Sequence, residues 1–576
     1  MLKSYVLNIS LLLVCFVGWS QNRKQTNDTI DTQVVNVVKP YTPTISDAFK
    51  IKDIPNLEDN VNNQKKDVKY NIFSIPVAST FTPAKGKAAK VDKAKPEVVY
   101  DNYASLGFGS YTSILGELYL NQSISRSQTI GGYLSHHSSQ GGIDEVLVDD
   151  DFSKTYLNVN YKQQLRDLSF KIDSDFGYNT YNWYGLPQPL FDEAAVEGLN
   201  VGHSYFNFDL GGEVNFEEAL FKNVNVDFRY FGDDFSSSES HFLVNTEFDI
   251  PVQDQQIATE VYIDFLSGGF DADFFNVGPI NYGNFTVGLA PSYQLLQDDL
   301  TLNLGAEFVY LNDTELSKSK FYIYPKITAS YRLVDELLIA YGGVEGGLQQ
   351  NTYFDFAKEN PFVSPTLLVA PTDQAYDAYL GLKGKLSNSV SYNLSGKYIA
   401  ENNKALFKSN PLLNGGLEPY HNGNSYQIVY DDVSTIAVSG GLNVDVNRNF
   451  TLGIKGSYFN YSTDNQEEAW NLPELEGSLF MDYQISESWF AGASLYYAGS
   501  RMDEFLEEGV LVLPAPVMVE LDSYFDINLH VGYHINDRFS AYIKGNNITN
   551  QEYQKWMNYQ VQGIQFLAGA TYKFDF

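Results

Sequence analysis

Gln565-Phe566-Leu567-Ala568-Gly569-Ala570-Thr571-Tyr572-Lys573-Phe574-Asp575-Phe576 is the stretch that decides the fold. Phe566, Ala568, Ala570, Tyr572, Phe574 and Phe576 form one set, and Gln565, Leu567, Gly569, Thr571, Lys573 and Asp575 the other. A period of two belongs to a β-strand, whose successive side chains point to opposite faces. The same period runs back through the chain. Phe539, Ala541 and Ile543 alternate with Ser540, Tyr542 and Lys544. Phe525, Ile527, Leu529, Val531, Tyr533 and Ile535 alternate with Asp526, Asn528, His530, Gly532 and His534. Far upstream, Phe206, Phe208, Leu210, Val214 and Phe216 interleave with Asn207, Asp209, Glu213 and Asn215.

Alternation alone also fits a soluble sandwich. Turn architecture separates the two. Short polar turns recur between apolar residues: Arg166-Asp167, Gln297-Asp298-Asp299, Val334-Asp335-Glu336, Ser387-Asn388-Ser389, Asn447-Arg448-Asn449, Ser486-Glu487-Ser488 and Asn536-Asp537-Arg538. Between them lie long polar connections at 186–202, 347–374, 401–424 and 499–522. Tight turns alternating with long loops mark an outer-membrane barrel, short on the periplasmic side and long outside. The expectation is therefore an all-β, transmembrane antiparallel β-barrel over residues 101–576, with about 22 strands starting near Asn102. An even count places both ends in the periplasm. The segments match or exceed the roughly 9–11 residues that a tilted strand needs to cross lipid, so strands should project outward. Trp489 beside a tight turn fits an interfacial girdle. A mean hydropathy of −0.25 does not contradict this, because only alternate residues face lipid.

What precedes the barrel differs in kind. Residues 1–20 read as a signal peptide: Lys3, an apolar run over 7–17, and Gly18-Trp19-Ser20 before Gln21. The one cysteine, Cys15, lies within it, and Val14 stands where a lipoprotein signal needs a small residue, so lipidation is not expected. The mature chain then has no disulfide, no thiolate metal site and no cysteine nucleophile. Residues 21–100 carry Pro40, Pro43, Pro55, Pro76, Pro83 and Pro96 and a Lys/Ala-rich stretch, and read as an extended, partly disordered periplasmic or lumen-filling arm. Within it, Gln33-Val34-Val35-Asn36-Val37-Val38 and Phe73-Ser74-Ile75-Pro76-Val77 are suited to adding as strands to a sheet edge. The net charge is −33 although this arm has a slight excess of Lys and Arg, so the barrel is the acidic part. That balance excludes nucleic acid as a partner, since phosphate binding needs a basic face.

Clusters that carry chemistry elsewhere are weak here. Asp144, Glu145, Asp149, Asp150 and Asp151 crowd one outer loop, but their spacing matches no calcium loop and a solvated acidic loop is expected. Asp233-Asp234 and Asp271-Ala272-Asp273 read the same way. His136-His137 and the pair His530/His534 are the best imidazole clusters; the latter two share a face about 13 Å apart, too far for one metal. No Ser/His/Asp arrangement or phosphate-cradling loop is visible. The sequence offers no catalytic, cofactor or metal residue, so the chain is not read as an enzyme.

The C-terminal strands carry a family resemblance. The segment from Phe539 through Asn547-Ile548-Thr549-Asn550-Gln551-Glu552-Tyr553, then Trp556, Tyr559, Gly563 and the terminal Phe576, resembles the end of TonB-dependent receptor barrels. In that family an Asn-(Leu/Ile)-(Thr/Phe)-Asn-x-x-Tyr motif precedes a final strand ending in an aromatic. Asn547, Thr549, Asn550 and Tyr553 match it, and Phe574 and Phe576 are similar to the signal read by the barrel-assembly machinery, which the resemblance implies as an insertion partner. The family's globular plug, with its Arg-Gly and Gly-rich elements, has no counterpart in residues 21–101; Asp31-Thr32-Gln33-Val34-Val35 is faintly like the TonB-contacting box.

The resemblance implies a plugless, receptor-like barrel acting in transport across the cell outer membrane, in contact with lipid and lipopolysaccharide. A barrel that wide needs a stopper: the basic arm, long loops folding in, or a partner. Two other readings stay open. One is a non-catalytic subunit of a larger outer-membrane machine for secretion, surface-lipoprotein export or barrel assembly, bound to other envelope proteins or lipoproteins. The other is a passive, cation-preferring porin.

Overall fold

The computed structural model describes residues 99–576 except 189, 218–219, 253–254, 414, 448 and 509–515. The signal peptide, Cys15, the segments 31–35, 33–38 and 73–77, and all of the arm but Val99 and Tyr100 lie outside the described residues.

Twenty-two strands form one antiparallel sheet. Strand β1, Asn102–Gly109, pairs on one side with β2, Ile114–Ser125, and on the other with the last strand, Gln565–Phe574. The register runs from Asn102 opposite Phe574 to Gly109 opposite Leu567, so the sheet closes on itself and leaves no edge. The strand count is the one that the turn spacing predicts. Those turns are hairpins: Gln297 faces Leu300, Ser387 faces Val390 and Asn447 faces Phe450. All lie at the end that holds both barrel termini, which is the periplasmic end of such a barrel.

At the opposite end the connections 140–151, 183–201, 350–371, 410–425, 499–523 and 547–564 are long, but 110–113, 234–237 and 314–317 are as short as the periplasmic turns. One boundary moves appreciably. The strand Val390–Ser409 continues through most of the predicted 401–424 connection, pairing Lys404–Ser409 with Asp431–Tyr426 beyond a bulge at 401–404. This strand and its partner, Tyr426–Asn447, have 20 and 22 residues, about twice what lipid requires. Their outer halves stand clear of the membrane.

The alternation sorts side chains as expected. Phe566 is 54% exposed and its neighbour Leu567 is 8% exposed. Phe566, Ile543, Leu529, Val438, Leu394, Leu380 and Ile172 belong to a continuous outward belt of exposed apolar residues. No soluble surface tolerates a patch of that extent, and a closed barrel meets the demand that lipid makes on backbone polar groups. The barrel sits in the outer membrane. Trp489 and Tyr533, ring centroids 4.8 Å apart, mark its periplasmic rim.

The inner face is polar and self-paired. Lys326 Nζ lies 2.9 Å from Glu307, Lys397 Nζ 3.2 Å from Asp377, and His241 Nε2 2.9 Å from Asp264. Tyr262 donates to Glu307 at 2.9 Å. Each strand offers every second residue to lumenal water, so the inner face can be polar while the outer face is apolar.

Candidate functional site: the loop core at the outer mouth

Among the described residues the largest apolar core is not in the wall. It lies among the outer ends of the strands and joins Tyr205, Phe231, Leu266, Phe270 and Tyr282 to Phe407, Tyr426 and Ile428 through loop residues Tyr353, Phe356, Val363, Leu367, Trp556 and Tyr559. Tyr205 and Tyr426 stand on strands ten places apart in a ring of 22, close to diametrically opposite. One buried cluster that includes both spans the mouth.

Its centre is the connection 350–371. A short helix, Tyr353–Glu359, forms there for local reasons. Thr352 caps it, its hydroxyl accepting from Asp355 N at 3.0 Å, and Asn360-Pro361 ends it. Tyr353, Phe356 and Ala357 face the core. The helix start is held by the barrel wall: the Glu239 carboxylate accepts from Tyr353 N at 2.6 Å, Phe354 N at 3.2 Å and Tyr282 Oη at 2.8 Å. Tyr353 Oη donates to Asp233 at 2.7 Å. A carboxylate at a helix N-terminus satisfies amides that have no partner within the helix.

The chain beyond the helix threads across the mouth. Ser364 N donates to Tyr426 O at 2.9 Å, and Tyr426 N donates to Phe362 O at 3.0 Å. Phe362 stacks on Tyr559 at 3.6 Å between centroids, and its carbonyl accepts from Trp183 Nε1 at 3.2 Å. Trp183 in turn stacks on His203 at 3.9 Å. Tyr426 is a junction: its hydroxyl accepts from Met557 N at 2.6 Å and donates to Asp503 at 3.0 Å. Four connections, 183–201, 350–371, 499–523 and 547–564, therefore meet in one packed body. Burial pushes the Asp503 carboxyl above the usual range, opposed by hydrogen bonds from the Asn471 side chain, Ser409 N, Glu504 N and Tyr426. Burial pushes the His421 imidazole, in the connection 410–425, below its usual value; its Nδ1 accepts from Glu418 N at 3.3 Å, which requires the unprotonated nitrogen.

The residues singled out from sequence fall in defined places. Asn547 and Asn550 both have left-handed backbone, φ 45° and 51°, which asparagine tolerates best after glycine. Asn547 Nδ2 donates to Gln551 O at 2.9 Å and Gln562 O at 3.0 Å, and its Oδ1 accepts from Thr549 and Gln551 N. Asn550 Oδ1 accepts from Ile564 N at 2.7 Å. Tyr553 lies flat on Tyr524, 3.9 Å away. The motif thus folds the last outer loop, which delivers Trp556 and Tyr559 to the core. Phe574 and Phe576 meet edge to face at the periplasmic end of the last strand, 5.5 Å apart.

The candidate metal groups do not assemble. Among the described residues no set of three His, Asp or Glu can hold an ion. His530 and His534 share the lumenal face, both against Phe490, and His136 bonds Thr155 and Ser138. Asp150 accepts from Ile143 N and Asp273 from Phe275 N and Val277 N, as loop braces. Asp233 departs from the solvated loop expected of it: it is buried and holds the core. The helix is not among the elements read from the sequence, where 347–374 stands as a polar connection, although Thr352 with Asp355 three residues on and Asn360-Pro361 after it are start and stop signals. Glu239 carries no such signal, because its partner is 114 residues away.

No protein-family model matches the chain. No curated protein sequence matches it either. Solved structures match by fold. The pyoverdine outer membrane receptor FpvA from Pseudomonas aeruginosa PAO1 aligns with a TM-score of 0.61 at 13% identity, over 84% of this chain and 80% of that one. The siderophore receptor PirA from Acinetobacter baumannii gives 0.61 at 13% identity, over 83% and 81%. The ferric-catecholate import receptor Fiu from E. coli K12 gives 0.59 at 12% identity, over 82% of each chain. The barrel shares the fold of these 22-stranded TonB-dependent receptors, in keeping with the resemblance in its C-terminal residues.

Proposed function

We propose that this chain is a non-catalytic, gated transport barrel of the outer membrane, in which its own outer loops do the closing that a plug domain does in receptor barrels. The observation that carries this reading is the buried cluster from Tyr205 to Tyr426 across the mouth. A standing passive porin would need that mouth open, so the core speaks against the cation-channel reading. Solute passage requires the 350–371 segment to leave Glu239 and Asp233, which is a discrete two-state change and hence a gate. Within this proposal the basic arm, residues 21–100, is the periplasmic element; its charge is opposite to that of the barrel. Insertion through the barrel-assembly machinery, signalled by Phe574 and Phe576, belongs to the same proposal.

The test is conductance of the full-length protein in planar bilayers. Replacing residues 352–361 by a Gly-Ser segment of equal length should raise single-channel conductance at least tenfold while the barrel keeps its heat-modifiable migration. A folded variant that conducts like wild type overturns the gate. Deleting 21–99 assigns the arm: leakier membranes make it a second stopper, and unchanged conductance leaves the closure to the loops alone.

A further inference from the structure

The connection 499–523 carries a hairpin outside the barrel sheet: Arg501–Phe505 pairs antiparallel with Val517–Leu521, Arg501 opposite Leu521 and Phe505 opposite Val517. Among the described residues, Val517–Leu521 pairs on that side alone. Among the described residues its other edge has no strand partner, and Val517 and Met518 on it are exposed apolar residues. Proteins ordinarily blunt such an edge with lysine, proline or a covering segment. No lysine or proline stands between 517 and 521, although Pro514 and Pro516 precede the strand.

Along this strand opens a groove of about 570 Å³. Its apolar lining includes Phe505, Val519, Leu521, Tyr553 and Met557, and its acidic lining is Glu520, Asp522 and Glu552. These three carboxylates form no ion pair among the described residues. No Lys or Arg lines the groove. The outer connections as a whole hold just three such residues, Lys358, Arg501 and Lys555, against acids in almost every loop. Arg501 is spent on the frame, donating to Gln554 O at 2.7 Å and Lys555 O at 2.9 Å. With Tyr553 stacked on Tyr524, one wall of the groove is fixed to the barrel.

We infer that this groove binds an extended, basic peptide segment, which adds as a third strand to the hairpin. The free edge supplies main-chain hydrogen bonds, the apolar lining takes alternate side chains, and the carboxylates select lysine or arginine on the rest. A small cation would use the carboxylates and leave the edge unused; a strand uses both. The inference does not depend on the gate, since a barrel that never opens still presents this face.

The probe is a fluorescein-labelled nonapeptide alternating Lys and Val, titrated by anisotropy against the full-length protein in detergent. It should bind, and Glu520→Gln/Asp522→Asn/Glu552→Gln should weaken it about tenfold, three exposed charge contacts together giving about 1.4 kcal/mol. Glu467→Gln/Glu468→Gln/Glu474→Gln, outside the groove, should leave affinity unchanged. Of the two peptides N-methylated at alternate residues, at least one should lose binding. A lysine peptide that fails to bind, an equal loss in the outside variant, or full binding by both methylated peptides overturns the proposal.

Discussion

Phe566 and Trp183 are both large aromatic side chains, yet the first is 54% exposed on the barrel wall and the second 1% exposed in the loop core. The wall places its apolar residues outward because its solvent is lipid. The loop core places them inward because it stands above the membrane, in water on its outer surface. One chain thus obeys two opposite burial rules, and the boundary runs through single strands: Tyr426 points into the core while Val438, on the same strand, faces lipid. A hydrophobic residue here has no meaning until its height along the barrel is known.

The largest effect is expected in the loop core. Trp183→Ala should destabilise the loop core by about 3–5 kcal/mol, as for other fully buried Trp truncations, read as early protease cleavage of outer loops while the barrel band survives. Equal protection in the variant would mean that the core is not a cooperative unit.

Next comes the wall. Leu380, 73% exposed, is a surface residue by the rules of a soluble protein, and Leu380→Lys would be harmless there. In lipid it should cost about 2–4 kcal/mol if it lies near the midplane, measured by urea-dependent folding into vesicles. A change below a few tenths would remove Leu380 from the bilayer.

The junction between the two regions gives a smaller effect. Glu239→Gln leaves one of the acceptor positions used by Tyr353 N, Phe354 N and Tyr282 Oη occupied by an amide. The expected loss is about 1–3 kcal/mol for an unmade buried hydrogen bond, seen as faster hydrogen exchange at 353–359 with wall strands unchanged.

The smallest concerns pH. Burial depresses His421, so its contribution is present above the unfolded value of 6.5 and is lost as pH falls through that value toward the folded one. Exchange-corrected protection of 410–425 should therefore drop between pH 7 and 5, and His421→Asn should flatten that drop. The buried Asp503 works in the opposite sense: its raised carboxyl value makes its contribution largest in acid and lost as pH rises. A wild-type profile that rises on acidification would show Asp503, and not His421, in control.

The readings made from residues divide along the same line. Alternation from Phe206 to Phe576 and seven short turns were enough for a closed antiparallel barrel of the observed strand number, because strand period and hairpin geometry are local properties. The motif Asn547–Tyr553 was legible as a motif, but its work of folding the last outer loop was not. The bulged extension of Val390–Ser409 was hidden by polar residues Glu401-Asn402-Asn403-Lys404, which look like a loop and form a bulge beyond which pairing resumes.

The wall is encoded locally, since each residue there needs to know only its neighbours two places away and the lipid or water it faces. The closure of the mouth arises only in three dimensions. Glu239 meets Tyr353, Phe362 meets Tyr559 and Tyr426 meets Asp503 only after the ring is shut, across separations of 114, 197 and 77 residues. No local period encodes such contacts; they follow from bringing loop ends together over one mouth, where aromatic side chains with no lipid to face bury one another.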